Sequence, residues 1–159
     1  MIAPNAQERL TQIVEPLLFW YQKNKRSLPW RDQPTPYRVW VSEIMLQQTR
    51  VEAVKPYFER FLSQLPSIQA LASCPEDRLL KLWEGLGYYS RARNLQKAAR
   101  LLVEQYGGQL PADYRQLTAL PGIGDYTAGA IASIAFGIAV PAVDGNVLRV
   151  ISRILCCGD

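Results

Sequence analysis

Residues 120–150 read LPGIGDYTAGAIASIAFGIAVPAVDGNVLRV. The stretch opens on a glycine-punctuated turn, Leu120-Pro121-Gly122-Ile123-Gly124. A run of small and apolar residues follows from Thr127 to Phe136, long enough for a helix. Gly137 and Pro141 then break the chain, and Asp144 stands at the head of a second helical segment. Glycines that bare backbone amides just before a helix N-terminus make an anion site, because the amides and the helix dipole point the same way. A single acid after Ala142-Val143 is therefore read as placed rather than merely solvated.

The bulk composition limits what this stretch can belong to. The chain has 159 residues, 48% of them hydrophobic, which supports a packed core and excludes a disordered tail. The formal net charge of +4 permits a polyanionic partner without requiring one. Neither a signal-peptide pattern nor an apolar run of spanning length is found, so a cytoplasmic protein with no membrane association is expected. Cys74, Cys156 and Cys157 are an odd set without C-x-x-C spacing. They point to a reducing compartment and away from a disulfide framework or a zinc site. The sequence holds no histidine, so acid–base chemistry must fall to carboxylates, tyrosine, lysine or cysteine.

Periodicity along the chain is helical throughout. Residues 6–23 carry Leu10, Ile13, Val14, Leu17, Leu18 and Tyr21 at helical spacing, with Pro16 predicting a late start or a kink. Lys23 to Pro36 reads as a polar loop, in which Arg26 and Arg31 lie near Trp30. That loop is either simply solvated or a phosphate- and base-contacting segment. Thr35-Pro36 is a cap followed by a first-turn proline, which predicts a helix from Tyr37 to about Gln48. Its face of Tyr37, Trp40, Val41 and Ile44 is expected in the core. Val39, Glu43, Leu46, Gln47 and Arg50 lie on another face. Glu43 is thus either an ordinary half-exposed glutamate or an acid whose proton is retained by desolvation.

A helix is expected over Val51–Gln64, and two short ones between Leu71 and Leu82, stopped by Gly85 and Gly87. The longest is expected over Tyr88–Tyr106, with Arg91, Arg93, Lys97 and Arg100 on its surface. Gly107-Gly108 ends it, and a short helix over Ala112–Ala119 leads into the glycine turn. No strand-period segment stands out. The expected fold is all-α, with roughly eight to ten short helices.

Three ordered motifs carry a resemblance: SEIMLQQTRV at 42–51, LWEGLGYYSRARNL at 82–95, and LPGIG followed by VDGNVLRV at 120–150. Together they resemble the helix-hairpin-helix, endonuclease III-like glycosylases of base-excision repair. Within these they are similar to the adenine DNA glycosylase (MutY-type) branch. The match is spread from about Trp20 to the last residues. It implies an N-terminal catalytic region spanning 1–159. A six-helix core over about 35–140 would contain the hairpin 120–124, and helices 6–23 and 144–156 would belong to an incomplete second subdomain.

The resemblance also implies roles. Removing a purine needs a proton on the leaving base and a negative charge near the cationic sugar, which two carboxylates supply. Glu43 would protonate adenine and Asp144 would stabilise the sugar. Asp144 also reads as a plain helix N-cap with Asn146 supporting the turn, and the two roles are compatible. Tyr126 stands where bifunctional relatives carry a Schiff-base lysine, and no lysine follows Lys97, so a monofunctional enzyme is expected. Gln48 and Tyr88, with Leu46 beside them, would fill the gap left by an extruded base. Gly122, Ile123 and Gly124 would hold one phosphate through backbone amides without reading sequence. Relatives can also hold a monovalent cation on the hairpin carbonyls.

The partner implied is double-stranded DNA with adenine opposite 8-oxoguanine or guanine. The protein is expected to be a monomer of the bacterial cytoplasm, nucleoid-associated through DNA. A four-cysteine [4Fe-4S] loop is expected of the family, but its ligand spacing is absent from this chain, which is expected to be part of a longer protein. The rival readings are a bifunctional pyrimidine-damage glycosylase, a non-catalytic helix-hairpin-helix binding module, and an inactive fragment.

Overall fold

The computed structural model describes residues 5–156. Among these it is all helical, in the order α1 (Ala6–Asn24), α2 (Pro29–Asp32), α3 (Pro36–Leu46), α4 (Val51–Gln64), α5 (Ile68–Ser73), α6 (Glu76–Trp83), α7 (Ser90–Gln105), α8 (Tyr114–Thr118), α9 (Asp125–Ala130), a π-helical turn (Ile131–Ala135) and α10 (Gly145–Ile154). The chain divides into two units. Leu28–Ala142 forms the larger, and the segments before and after it form the smaller.

The larger unit is organised around α3. Thr35 caps it by accepting the Arg38 amide at 3.3 Å, and Pro36 occupies the first turn, where its missing N–H costs nothing. The expected core face is buried, but so are Val39, Ser42 and Met45. The helix packs against α2, α4, α7, α9 and the π turn, so nearly its whole circumference is covered. That is why Val39 departs from the two-face reading. Edge-to-face aromatic pairs lock neighbouring helices, Phe61 with Trp83 at 6.0 Å and Trp30 with Phe58 at 5.4 Å. The segment read as a polar loop therefore contains the short α2, and Trp30 belongs to the core.

α4 has the limits the sequence predicts. α7 begins at Ser90 rather than Tyr88, and with 16 residues it is shorter than the 19-residue α1. It ends as expected, with the Leu102 carbonyl accepting from both Tyr106 and Gly108 amides. The predicted single helix from Thr127 to Phe136 changes to π winding at Ile131. One close approach shapes this region. A Cβ on Gly129 would lie 2.3 Å from the Pro141 carbonyl oxygen, so only glycine lets the 141–142 backbone lie against α9.

The smaller unit contains α1 and α10. Pro16 lies inside a continuous α1, and neither helix buries a side chain. Val14, Leu17, Leu18, Phe19 and Trp20 are all at least half exposed. Arg9 joins the two helices by donating to the Ile154 carbonyl at 3.2 Å.

Candidate active site

The hairpin forms as the sequence predicts. Gly122 has φ +77°, a conformation that L side chains resist, and an added Cβ there would also meet Asn94 at 2.9 Å. The three predicted phosphate contacts are not alike. Ile123 is buried and its amide donates to Leu120 O at 3.1 Å, so it anchors the turn, whereas Gly122 and Gly124 are exposed. Gly124 is the residue preceding α9. Tyr126 lies in the first turn of α9 and is 39% exposed.

Glu43 is half-buried near the middle of α3, between the buried Ser42 and Ile44. A helix held on so many sides gives its carboxyl a fixed origin. Asp144 is fixed differently, by short-range hydrogen bonds at the start of α10. Its carboxylate accepts the Val147 amide at 2.8 Å and the Asn146 side-chain amide at 3.0 Å. Arg149 in turn donates to the Asn146 side-chain oxygen at 3.1 Å. The Val147 amide is the main reason the Asp144 carboxyl lies below its ordinary value; partial burial opposes it, and Asn146 reinforces it. The N-cap reading of Asp144 is thus observed, and the same hydrogen bonds favour its ionised form. Glu43 belongs to the larger unit, Asp144 and Asn146 to the smaller.

Gln48 and Tyr88 share an unusual feature. Both have left-handed backbones, φ +57° and φ +48°, without being glycine. Such residues cost roughly 1–3 kcal/mol and persist where the surroundings hold them. Both side chains are exposed, Tyr88 by 63%, while Leu46 at the end of α3 is half-buried.

The arginines need correction. Arg26 and Arg31 are exposed, but the Trp30 ring that suggested a joint base contact is buried. Arg93 pairs with Glu76 at 2.7 Å, and Arg100 donates to the Ala72 carbonyl at 3.2 Å. Arg91, expected on the surface, is only 9% exposed. A signal was present: Arg91, Leu95, Ala98 and Leu102 fall at i, i+4, i+7 and i+11, on the apolar stripe itself.

The cysteines do not fit an iron–sulfur cluster. Cys74 is buried in the larger unit, Cys156 is exposed in the smaller, and Cys157 lies outside the described residues. Three thiols cannot supply four thiolates. Among the described residues no group of three or more histidine, cysteine, aspartate or glutamate side chains is placed to hold a metal, and no helix is long and apolar enough to cross a membrane.

A helical core, a glycine hairpin before a buried helix and a helix-capping aspartate after it define a class. Residues 41–159 match the family described as HhH-GPD superfamily base excision DNA repair protein, and the chain belongs to that family. Its relatives narrow the likeness. The chain is 50% identical over 151 residues to an adenine DNA glycosylase of Mus musculus, covering 89% of this chain and 29% of that protein. It is 46% identical over 138 residues to an adenine DNA glycosylase of Buchnera aphidicola, covering 86% and 39%. This chain therefore spans about a third of the length of these relatives. Among solved structures, a thermostable thymine-DNA glycosylase superposes with a TM-score of 0.87 at 29% identity, covering 93% of this chain and 69% of that one. An endonuclease III–DNA complex superposes with a TM-score of 0.75 at 27% identity, covering 88% and 66%.

Proposed function

We propose that this chain is the catalytic region of a monofunctional adenine DNA glycosylase, acting on duplex DNA with adenine opposite 8-oxoguanine or guanine. The observation that carries the reading is Asp144, a carboxylate held anionic at a helix start within the family-matched region.

The reaction breaks the bond between adenine and C1′ of deoxyribose. Glu43 donates a proton to the purine, so that the bonding electron pair leaves with a neutral base. The sugar becomes oxocarbenium-like, and Asp144 stabilises the positive charge until water adds at C1′; the proton that water gives up returns to the Glu43 carboxylate, and an abasic site remains. Asn146 and Arg149 keep the Asp144 carboxylate oriented. Tyr126 in the first turn of α9 supplies no amine, so no Schiff base forms there and the strand stays intact. Gly122 and Gly124 hold a phosphate, while Gln48 and Tyr88 occupy the space left by the extruded adenine. The protein acts as a monomer on the chromosome, in a bacterial cytoplasm.

Glu43→Gln and Asp144→Asn test the assignment. Each is expected to slow single-turnover adenine release about a thousandfold or more, equivalent to roughly 4 kcal/mol of barrier, with duplex affinity within about threefold of the parent. A binding module that does no chemistry predicts indifference to both substitutions.

A further inference from the structure

We propose that Arg91 is the positioning residue that holds Gln48 and Tyr88 in the conformation from which they enter the duplex, an inference that rests on the glycosylase reading above. Arg91 lies in the first turn of α7 and is largely buried, so its task is internal. One terminal nitrogen donates to the carbonyls of Ile44 and Met45, both at 3.0 Å, and of Gln47. The other reaches Leu86 O at 3.0 Å, Gly87 O at 3.2 Å and Thr49 Oγ1 at 3.3 Å. One guanidinium thus ties the residues on either side of Gln48 to the two residues before Tyr88. These two segments are about forty residues apart in sequence, and the guanidinium bridges them by hydrogen bonds alone.

Carbonyls at the end of α3 lack partners within the helix and carry the negative end of its dipole, so a cation there satisfies both needs. Desolvation draws the Arg91 pKa down from its ordinary value, yet the group remains a cation, and charge-assisted bonds to carbonyls compensate its burial. The Tyr88 ring lies 5.6 Å from the same guanidinium carbon and the Trp83 ring 5.5 Å, so the cation also steadies the exposed aromatic. The Arg91 Nε has no acceptor, which leaves the whole hold to the two terminal nitrogens. Each held segment carries one non-glycine residue at positive φ, the conformation that needs an outside constraint. Lysine cannot replace this arrangement, because a single ammonium cannot reach both segments as a planar fork does.

The test compares Arg91→Lys with the parent in two ways. Hydrogen exchange of the free protein should show amides in 47–49 and 86–88 exchanging at least about tenfold faster, while the distal half of α7 is unchanged. The second readout uses a Glu43→Gln background, with 2-aminopurine beside the target adenine to report extrusion. Arg91→Lys should lower the fluorescence amplitude to that of the Gln48→Ala Tyr88→Ala variant. Added to that variant, it should change the amplitude less than about twofold, since the residues act as one unit. Unchanged exchange in both segments, or a fully additive loss of extrusion, overturns the proposal. If Arg91→Lys does not fold, Thr49→Val removes the Arg91 contact together with the 3.4 Å bond from Thr49 to the Gln47 carbonyl, and it must speed exchange in 86–88 as well as in 47–49, since the local bond does not reach 86–88; parent-like exchange in 86–88 overturns the proposal equally. If Gln48→Ala Tyr88→Ala extrudes the base as the parent does, the insertion reading falls and this inference with it. If that variant loses extrusion while Arg91→Lys keeps it, only Arg91 falls.

Discussion

The two units hold their carboxylates by opposite means. Between Leu28 and Ala142, Trp40, Phe58, Phe61 and Trp83 have no solvent exposure, and Glu43 inherits its position from a helix packed on many sides. In the smaller unit no described side chain is buried, and Asp144 takes its position from hydrogen bonds to Val147 and Asn146. In the proposed roles, an acid that delivers a proton to one atom gains from rigid scaffolding, and an anion that stays charged gains from amides and from access to water. The difference teaches that core mutations should act on stability, whereas changes at the α10 cap should act on the reaction and its pH dependence.

Two tryptophans put that contrast most sharply. Trp83→Ala removes a fully buried ring and should cost about 3–5 kcal/mol, read by urea unfolding. Gly129→Ala forces the Pro141 carbonyl away and should cost about 1–3 kcal/mol. It should also slow adenine release, because the displaced segment leads directly to Asp144. Thr35→Ala deletes the α3 cap and should cost about 1 kcal/mol with no change in the release rate per folded molecule.

Asn146→Ala removes a donor from the Asp144 carboxylate and should move the acidic limb of the release rate to higher pH. The sign follows from the depressed carboxyl: it is ionised above its ordinary value and loses its charge as pH falls through the lowered one. Losing a stabilising donor makes that loss happen sooner. A limb that stays put would assign the profile to another group. Trp20→Ala, at a site 58% exposed, should change stability by less than about 0.5 kcal/mol, and a cost like that of Trp83→Ala would break the comparison between the units.

Where local chemistry decides, the sequence was readable. Thr35-Pro36 announced α3, the apolar period set α4 from Val51 to Gln64, and the glycines announced the hairpin. Asp144 as an N-cap is legible from its place at the head of a helical segment after Pro141. What stayed hidden depends on neighbours distant in sequence. The apolar period of α1 is legible, yet nothing in the period of one helix says whether another surface covers it. The π turn at Ile131 has no local propensity signal. Charged flanks hide Trp30 as a core ring, and the charge of Arg91 hides its place on the Leu95, Ala98 and Leu102 stripe.

The most direct measurement is single-turnover incubation of the folded chain with a duplex holding adenine opposite 8-oxoguanine, scored for strand breaks with and without alkali. The account predicts breaks only after alkali, and none with Asp144→Asn. Breaks without alkali, or an intact strand after alkali treatment of a folded, DNA-bound parent, would contradict it.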